Sequence, residues 1–197
     1  MDASGWLFDA DPLVLADDSQ GGIRYWPRCV APVDADALFE RLRDQVAWAS
    51  ERRAMYERIV DVPRLQATLD LAHCAAIAGF AQAIDRIMAL APAPYTHAGL
   101  NFYRDGRDGL AMHGDRVGLL AEGAPIALLS LGAPRDMLVR RKGRDRNALR
   151  IALEPGSLLV MSHAAQSTHE HGIPKTTQPV GPRISCAFRV RRPRHDE

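Results

Sequence analysis

The chain is short of long apolar runs, of cysteine and of net charge, and each shortage removes a class of function. No run reaches the ~18 consecutive apolar residues that a spanning helix needs, so a membrane protein of that kind is excluded. Only Cys29, Cys74 and Cys186 are present, with no Cys-x-x-Cys spacing. That speaks against a disulfide framework and a thiolate metal site, and for free thiols in a reducing compartment. The opening Met1-Asp2-Ala3-Ser4-Gly5-Trp6 holds neither a basic stretch nor an apolar core, so no secretory leader is read there and a cytoplasmic location is expected. A net charge of +1 neither invites nor excludes a polyanionic partner, and no repeat or low-complexity segment is visible.

What is present is ordinary in amount and uneven in placement. With 197 residues, 47% hydrophobic and 25% charged, the chain reads as one soluble domain able to bury a sizeable core. Basic residues cluster from Arg135 to Arg150, opposed there only by Asp136 and Asp145, and again from Arg189 to Arg194. Both clusters suit phosphate contacts, or equally a solvated hairpin and a frayed tail.

Residues 1–30 read as irregular to extended. A helix is expected over about 35–48, capped by Asp34, with Leu38, Leu42 and Val46 on one face. A second helix carries the stripe Ile77, Phe80, Ala81, Ile84, Ile87 and Met88, and Pro92 and Pro94 follow it. Between them, 51–66 mixes arginine with Tyr56 and a β-branched run, and reads as a lid over a site or as an edge strand. From about residue 96 to 192 short strands alternate with turns: 100–104, 126–131, 137–140, 149–153, 157–161 and 183–190. Helices first and many short strands after predict an α+β, mainly β fold: a β-sandwich or jelly roll braced by N-terminal helices, in a single domain.

The chemistry concentrates in His113-Gly114-Asp115, followed 56 residues later by His171-Gly172-Ile173-Pro174 and then by Arg183 and Arg189. On a strand, residues i and i+2 share a face, so His113 and Asp115 can both point inward, with a third ligand from a distant strand. Two imidazoles and one carboxylate leave coordination positions open on a redox-active Fe(II) ion. Arginines six apart lie on one side of a strand and suit a dicarboxylate. His73, His97 and His195 carry no such pattern, and Asp105 and Asp108 flank glycines as turn residues.

Several segments, in order, resemble the AlkB family of Fe(II)- and 2-oxoglutarate-dependent dioxygenases, in a bacterial subgroup. They are Asn101-Phe102-Tyr103-Arg104-Asp105-Gly106 through His113-Gly114-Asp115-Arg116, Ser130 to Arg135, Gly156 to Met161, Glu170 to Lys175, and Gly181 to Ser185. Met55 to Leu65, with Val62-Pro63-Arg64-Leu65, adds to the likeness. The resemblance implies a double-stranded β-helix (jelly-roll) core and the cofactors Fe(II), 2-oxoglutarate and O2. It makes His113, Asp115 and His171 the metal ligands, and Asn101, Tyr103, Arg183, Ser185 and Arg189 the co-substrate residues. It further implies oxidative removal of methyl groups from 1-methyladenine and 3-methylcytosine in DNA or RNA, by a monomer without membrane contact. The target base would be flipped out or single-stranded.

Met55 and Tyr56 are candidates for stacking on that base. The chain departs from the family pattern at His169, where a Trp is usual, and at Arg116, where some members place an acidic residue that contacts the base. Ser185 and Ala187 stand where some relatives have Asn and Thr. His169 can reach the site, help hold substrate or compete for metal, and His163 is a more remote competitor. Three other readings stay open: the same oxygenase chemistry on a protein or small molecule, a non-catalytic metal-binding barrel, and a cupin-type site using His163, His169 and His171.

Overall fold

The computed structural model describes residues 11–55, 58–143 and 148–192, without the side chains of 53–61. Two antiparallel sheets dominate it. The larger has eight strands in the order β1-β2-β10-β7-β12-β5-β4-β3, and the smaller four in the order β6-β11-β8-β9. In chain order these are β1 (Leu13–Ala16), β2 (Ile23–Trp26), β3 (Ala49–Met55), β4 (Arg58–Asp70), β5 (His97–Tyr103) and β6 (Leu110–His113). They continue with β7 (Ile126–Gly132), β8 (Arg135–Arg141), β9 (Leu149–Leu153), β10 (Leu158–Met161), β11 (His169–Ile173) and β12 (Arg183–Arg189). The helices are α1 (Pro32–Gln45), α2 (Leu71–Ala76), α3 (Phe80–Leu90) and α4 (His163–Thr168). This is the expected mainly β jelly roll with helices bracing one side.

Period-two alternation divides the large sheet into two working faces. Along β7, Ala127, Leu129 and Leu131 join Leu38, Leu42, Phe80 and Ile87 in a core beneath the helices. Ile126 and Leu128 face the other way, into a second core with Met137, Val139, Ile151 and Leu153 of the small sheet. β12 alternates likewise: Ile184, Cys186 and Phe188 pack under the helices, which leaves Arg183, Ser185, Ala187 and Arg189 on the inner face. Each buried Leu or Phe of these cores contributes roughly 2 kcal/mol by leaving water.

Two local expectations change. α1 begins at Pro32, behind Ala31, with no side-chain cap, and Asp34 lies in its first turn. Proline's fixed φ favours the first helical position, and a carboxylate one turn in still complements the helix dipole. The second predicted helix starts later than its stripe: α3 begins after Gly79, whose φ of +83° suits glycine, and Ile77 instead caps the end of the separate α2. Residues 51–55 and 58–66 lie in β3 and β4 at the edge of the large sheet, as the edge-strand reading has it. Leu65–Asp70 also pair with β5, whereas Arg58–Asp61 pair with β3.

Candidate metal centre

β6 and β11 are antiparallel neighbours that place His171 opposite His113. The two imidazoles lie 4.5 Å apart, centroid to centroid. Asp115 completes the group, and the potential ligand atoms of His113, Asp115 and His171 all lie within 4.8 Å of one another. Asp115 is not on the strand, as the i, i+2 pattern predicts, because β6 stops at His113. Its backbone N–H donates to Gln166 Oε1 of α4 at 3.0 Å rather than to a strand partner. Gly114 makes this path feasible: a Cβ there would sit 2.6 Å from the Gln166 carbonyl oxygen and 2.9 Å from Lys142 Nζ. Lys142 Nζ itself donates to that carbonyl at 2.8 Å, tying the β8 end to α4 and so to the metal loop.

Each ligand is chemically prepared. His113 Nδ1 lies 3.0 Å from the Ala111 carbonyl, which can only accept, so Nε2 is the nitrogen left for a metal. Burial, with the charge of His113 adding to it, lowers the pKa of His171 and keeps it a neutral imidazole. Burial alone would raise the Asp115 carboxyl. The charge and hydrogen bond of Arg189 outweigh that, with smaller help from His171 and His113, and hold it below the ordinary carboxylate range. Arg189 Nε donates to Asp115 Oδ2 at 2.7 Å. Two imidazole nitrogens and one carboxylate suit an Fe(II) ion with open positions.

These groups open onto a cavity of about 920 Å³ between the sheets, walled by β4, β5 and β12 on one side and by β6 and β11 on the other. Register places the expected co-substrate residues in rows across its floor: Arg183 opposite Tyr103, Ser185 opposite Asn101 and Ser130, and Arg189 opposite His97. Gly99 leaves room for Arg189, whose Nη1 would lie 3.0 Å from a Cβ at that position. Asn101 Oδ1 accepts from Arg64 Nε at 2.7 Å. Arg183 is wholly buried; its Nε donates to Ser130 Oγ at 3.0 Å, while Nη1 and Nη2 have no partner. Burial lowers its pKa, yet a guanidinium does not give up its proton in a protein. A buried cation with two orphaned nitrogens facing a cavity fits an anionic occupant such as a carboxylate.

The remaining expectations sort by geometry. Arg116 lines the cavity. Met55 lies in β3 with its side chain outside the described residues, and Tyr56 lies outside them altogether. His169 is neither in the metal cluster nor on the cavity wall, and its Nδ1 meets Thr168 Oγ1 at 2.9 Å. Though His169 shares the strand periodicity of His171, β11 pairs it with Arg141 near the strand end, away from the cavity. His163 caps no metal either: it begins α4, and its Nε2 is buried without a partner.

Part of the basic run also turns inward. Arg135 is buried, stacks 5.8 Å from the Tyr103 ring centre and donates to the carbonyls of Asp105, Asp108 and Pro174. Arg140 pairs with Glu170, and Arg150 with Asp136. Sequence reasoning missed Gln166, Ser130, Arg64 and Lys142 as supports of the site. Their contacts span 24 to 53 positions along the chain, and no local pattern marks them.

Among known proteins, the chain is 30% identical over 178 residues to "DNA oxidative demethylase ALKBH2" of Bos taurus, covering 79% of this chain. It spans 64% of that relative's length. The solved structure of OsALKBH1 superposes with a TM-score of 0.55 at 14% identity, covering 86% of this chain and 96% of that one, a likeness of fold. A family model described as the 2OG-Fe(II) oxygenase superfamily matches residues 66–192, which include every residue of the metal cluster and of the cavity floor. The chain therefore belongs to the 2OG-Fe(II) oxygenase superfamily, whose members use Fe(II), 2-oxoglutarate and O2.

Proposed function

We propose that this protein is an oxidative demethylase of N-alkylated nucleobases in DNA or RNA, acting in alkylation-damage repair. One observation carries the chemistry: a single cavity joins a His–Asp–His cluster to a buried arginine whose terminal nitrogens lack partners. The nucleobase part is supported by the relation to a protein named as a DNA oxidative demethylase. In this reading residues 1–197 form one dioxygenase domain, with 96–192 as its catalytic core and 51–66 as a rim on the substrate side.

His113, Asp115 and His171 hold the Fe(II). Arg183, with Asn101, Tyr103 and Ser185 beside it, binds one carboxylate end of 2-oxoglutarate, and Arg189 serves the other while keeping Asp115 ionised. When bound, the iron and its co-substrate supply an oxidation that converts 2-oxoglutarate and O2 to succinate and CO2 and inserts one oxygen atom into an N-methyl C–H bond. The N–CH2OH product breaks its C–N bond to release formaldehyde: the hydroxyl proton leaves to solvent, and the bonding electron pair stays on the ring nitrogen. The protein's own part is position and exclusion of water. A base reaches the cavity only unstacked, at a cost of a few kcal/mol that alkylation damage reduces. The exposed Arg141, at the β8 end, is the basic residue we assign to the strand's phosphates as it runs beyond the cavity.

The test is succinate and formaldehyde release with Fe(II) and 2-oxoglutarate, with and without methylated single-stranded oligonucleotides. Formaldehyde in proportion to methylated base is expected, lost in His171→Ala and kept in His169→Ala. Succinate release that no methylated nucleic acid stimulates would overturn the nucleobase substrate.

A further inference from the structure

The cavity wall is one-sided in charge. Among the described residues, Asp115 is the only carboxylate on it, and Arg189 already pairs with that group. The same wall carries Arg116 and Lys175, both exposed, and neither side chain has a hydrogen-bond or ion-pair partner among the described residues. Nearby carboxylates are engaged elsewhere: Asp108 accepts from Arg104, and Glu170 from Arg140. Arg116 directly follows the metal-cluster aspartate and precedes a short 3-10 turn, Val117–Leu119, so it stands beside the reacting end of the cavity.

Alkylated bases divide into two classes that this wall treats differently. 1-Methyladenine and 3-methylcytosine carry a positive charge near neutral pH, because the methylated ring nitrogen sits beside an exocyclic amine. 1-Methylguanine and 3-methylthymine are neutral lactams that present carbonyl oxygens on the edge next to the methyl group. A cationic base beside Arg116 and Lys175 meets like charge in a partly desolvated site, where no carboxylate of the described cavity wall is free to offset it. A lactam offers acceptors instead, and the guanidinium fork matches the O6 and N7 pair of a guanine.

We propose that Arg116, aided by Lys175, makes this site selective for neutral, carbonyl-bearing alkylated bases over cationic ones. The inference rests on the demethylase reading above and narrows its substrate class. The reaction is unchanged: the N1-methyl of a guanine, or the N3-methyl of a thymine, leaves as formaldehyde and the ring nitrogen regains its proton.

Four single-stranded oligonucleotides of one sequence, each with one of these lesions, test it in two ways. Affinity is read by fluorescence anisotropy on the iron-loaded protein with 2-oxoglutarate under anaerobic conditions, and turnover by formaldehyde release in air. The wild type is expected to favour the two lactam lesions by roughly 10-fold in both. Arg116→Glu should reverse the order. Arg116→Lys should keep the discrimination against cationic bases but weaken 1-methylguanine binding, since the fork is lost. A thermal midpoint near that of the wild type in each variant excludes misfolding as the cause. A wild type that prefers the cationic pair, or an Arg116→Glu protein with an unaltered order, overturns the inference while its formaldehyde release leaves the demethylase reading standing. Formaldehyde from none of the four lesions overturns both.

Discussion

Arg183 and Arg189 sit on the same face of the same strand, six residues apart, and live in opposite circumstances. Arg189 is neutralised within the protein, its Nε 2.7 Å from Asp115 Oδ2. Arg183 is more deeply buried, and beside it stand a hydroxyl, the Tyr103 ring at 5.2 Å and another cation, Arg135. One arginine neutralises the aspartate of the metal cluster. The other is an uncompensated charge whose counter-ion has to come from outside. A buried cation without a partner lowers stability, so its retention points to binding rather than to folding.

The contrast breaks most sharply at Arg189. Arg189→Met strands a buried carboxylate and is expected to cost about 3 kcal/mol of folding stability, read by denaturant unfolding of the metal-free protein. The pH dependence should shift with it. In the wild type the depressed Asp115 pKa contributes stability above the ordinary carboxylate pKa, which is lost as pH falls through the folded value. Without Arg189 that contribution disappears and burial raises the carboxyl instead, so the stability gap between variant and wild type should be widest near neutral pH and narrow as pH falls. An unchanged acid limb would mean that the ion pair does little in solution.

At Arg183 the expected signs are mixed. Arg183→Met should weaken 2-oxoglutarate binding roughly 100-fold, by loss of charge-assisted hydrogen bonds. The same change should leave the ligand-free protein as stable as the wild type or more so, because an unpaired buried charge is gone. Wild-type protein loaded with Mn(II) should gain thermal stability on adding 2-oxoglutarate, and the variant should not. A variant that binds the dicarboxylate normally would make Arg183 merely structural.

The smallest effect sharpens the Arg189 side. Gln166 touches no proposed ligand atom, yet it fixes the backbone of Asp115. Gln166→Ala should weaken metal binding roughly 10-fold, measured by titration with Mn(II), with little change in 2-oxoglutarate affinity once metal is saturating. Equal loss of both would join the two ends of β12 into one unit.

Periodicity explains how much could be read in advance. Strands β7, β9, β10 and β12 stand out because alternating faces are both apolar or carry spaced arginines, and α1 and α3 because a stripe repeats at helical spacing. β1 and β6 are almost wholly apolar and β11 is mostly polar, so none alternates and pairing with neighbours decides them. Arg116 was visible beside the metal-cluster aspartate, but whether any carboxylate faces it depends on the folded wall.

His113-Gly114-Asp115, His171 and the six-residue arginine spacing belong to the sequence itself, because ligand chemistry and strand period are local properties. Tertiary structure alone decided that Gln166 rather than a strand partner holds Asp115, and that Nη1 and Nη2 of Arg183 are left without a partner. Each of those outcomes depends on which residues, far apart in the chain, come to share one desolvated space. Burial turns an ordinary arginine there into an anion site.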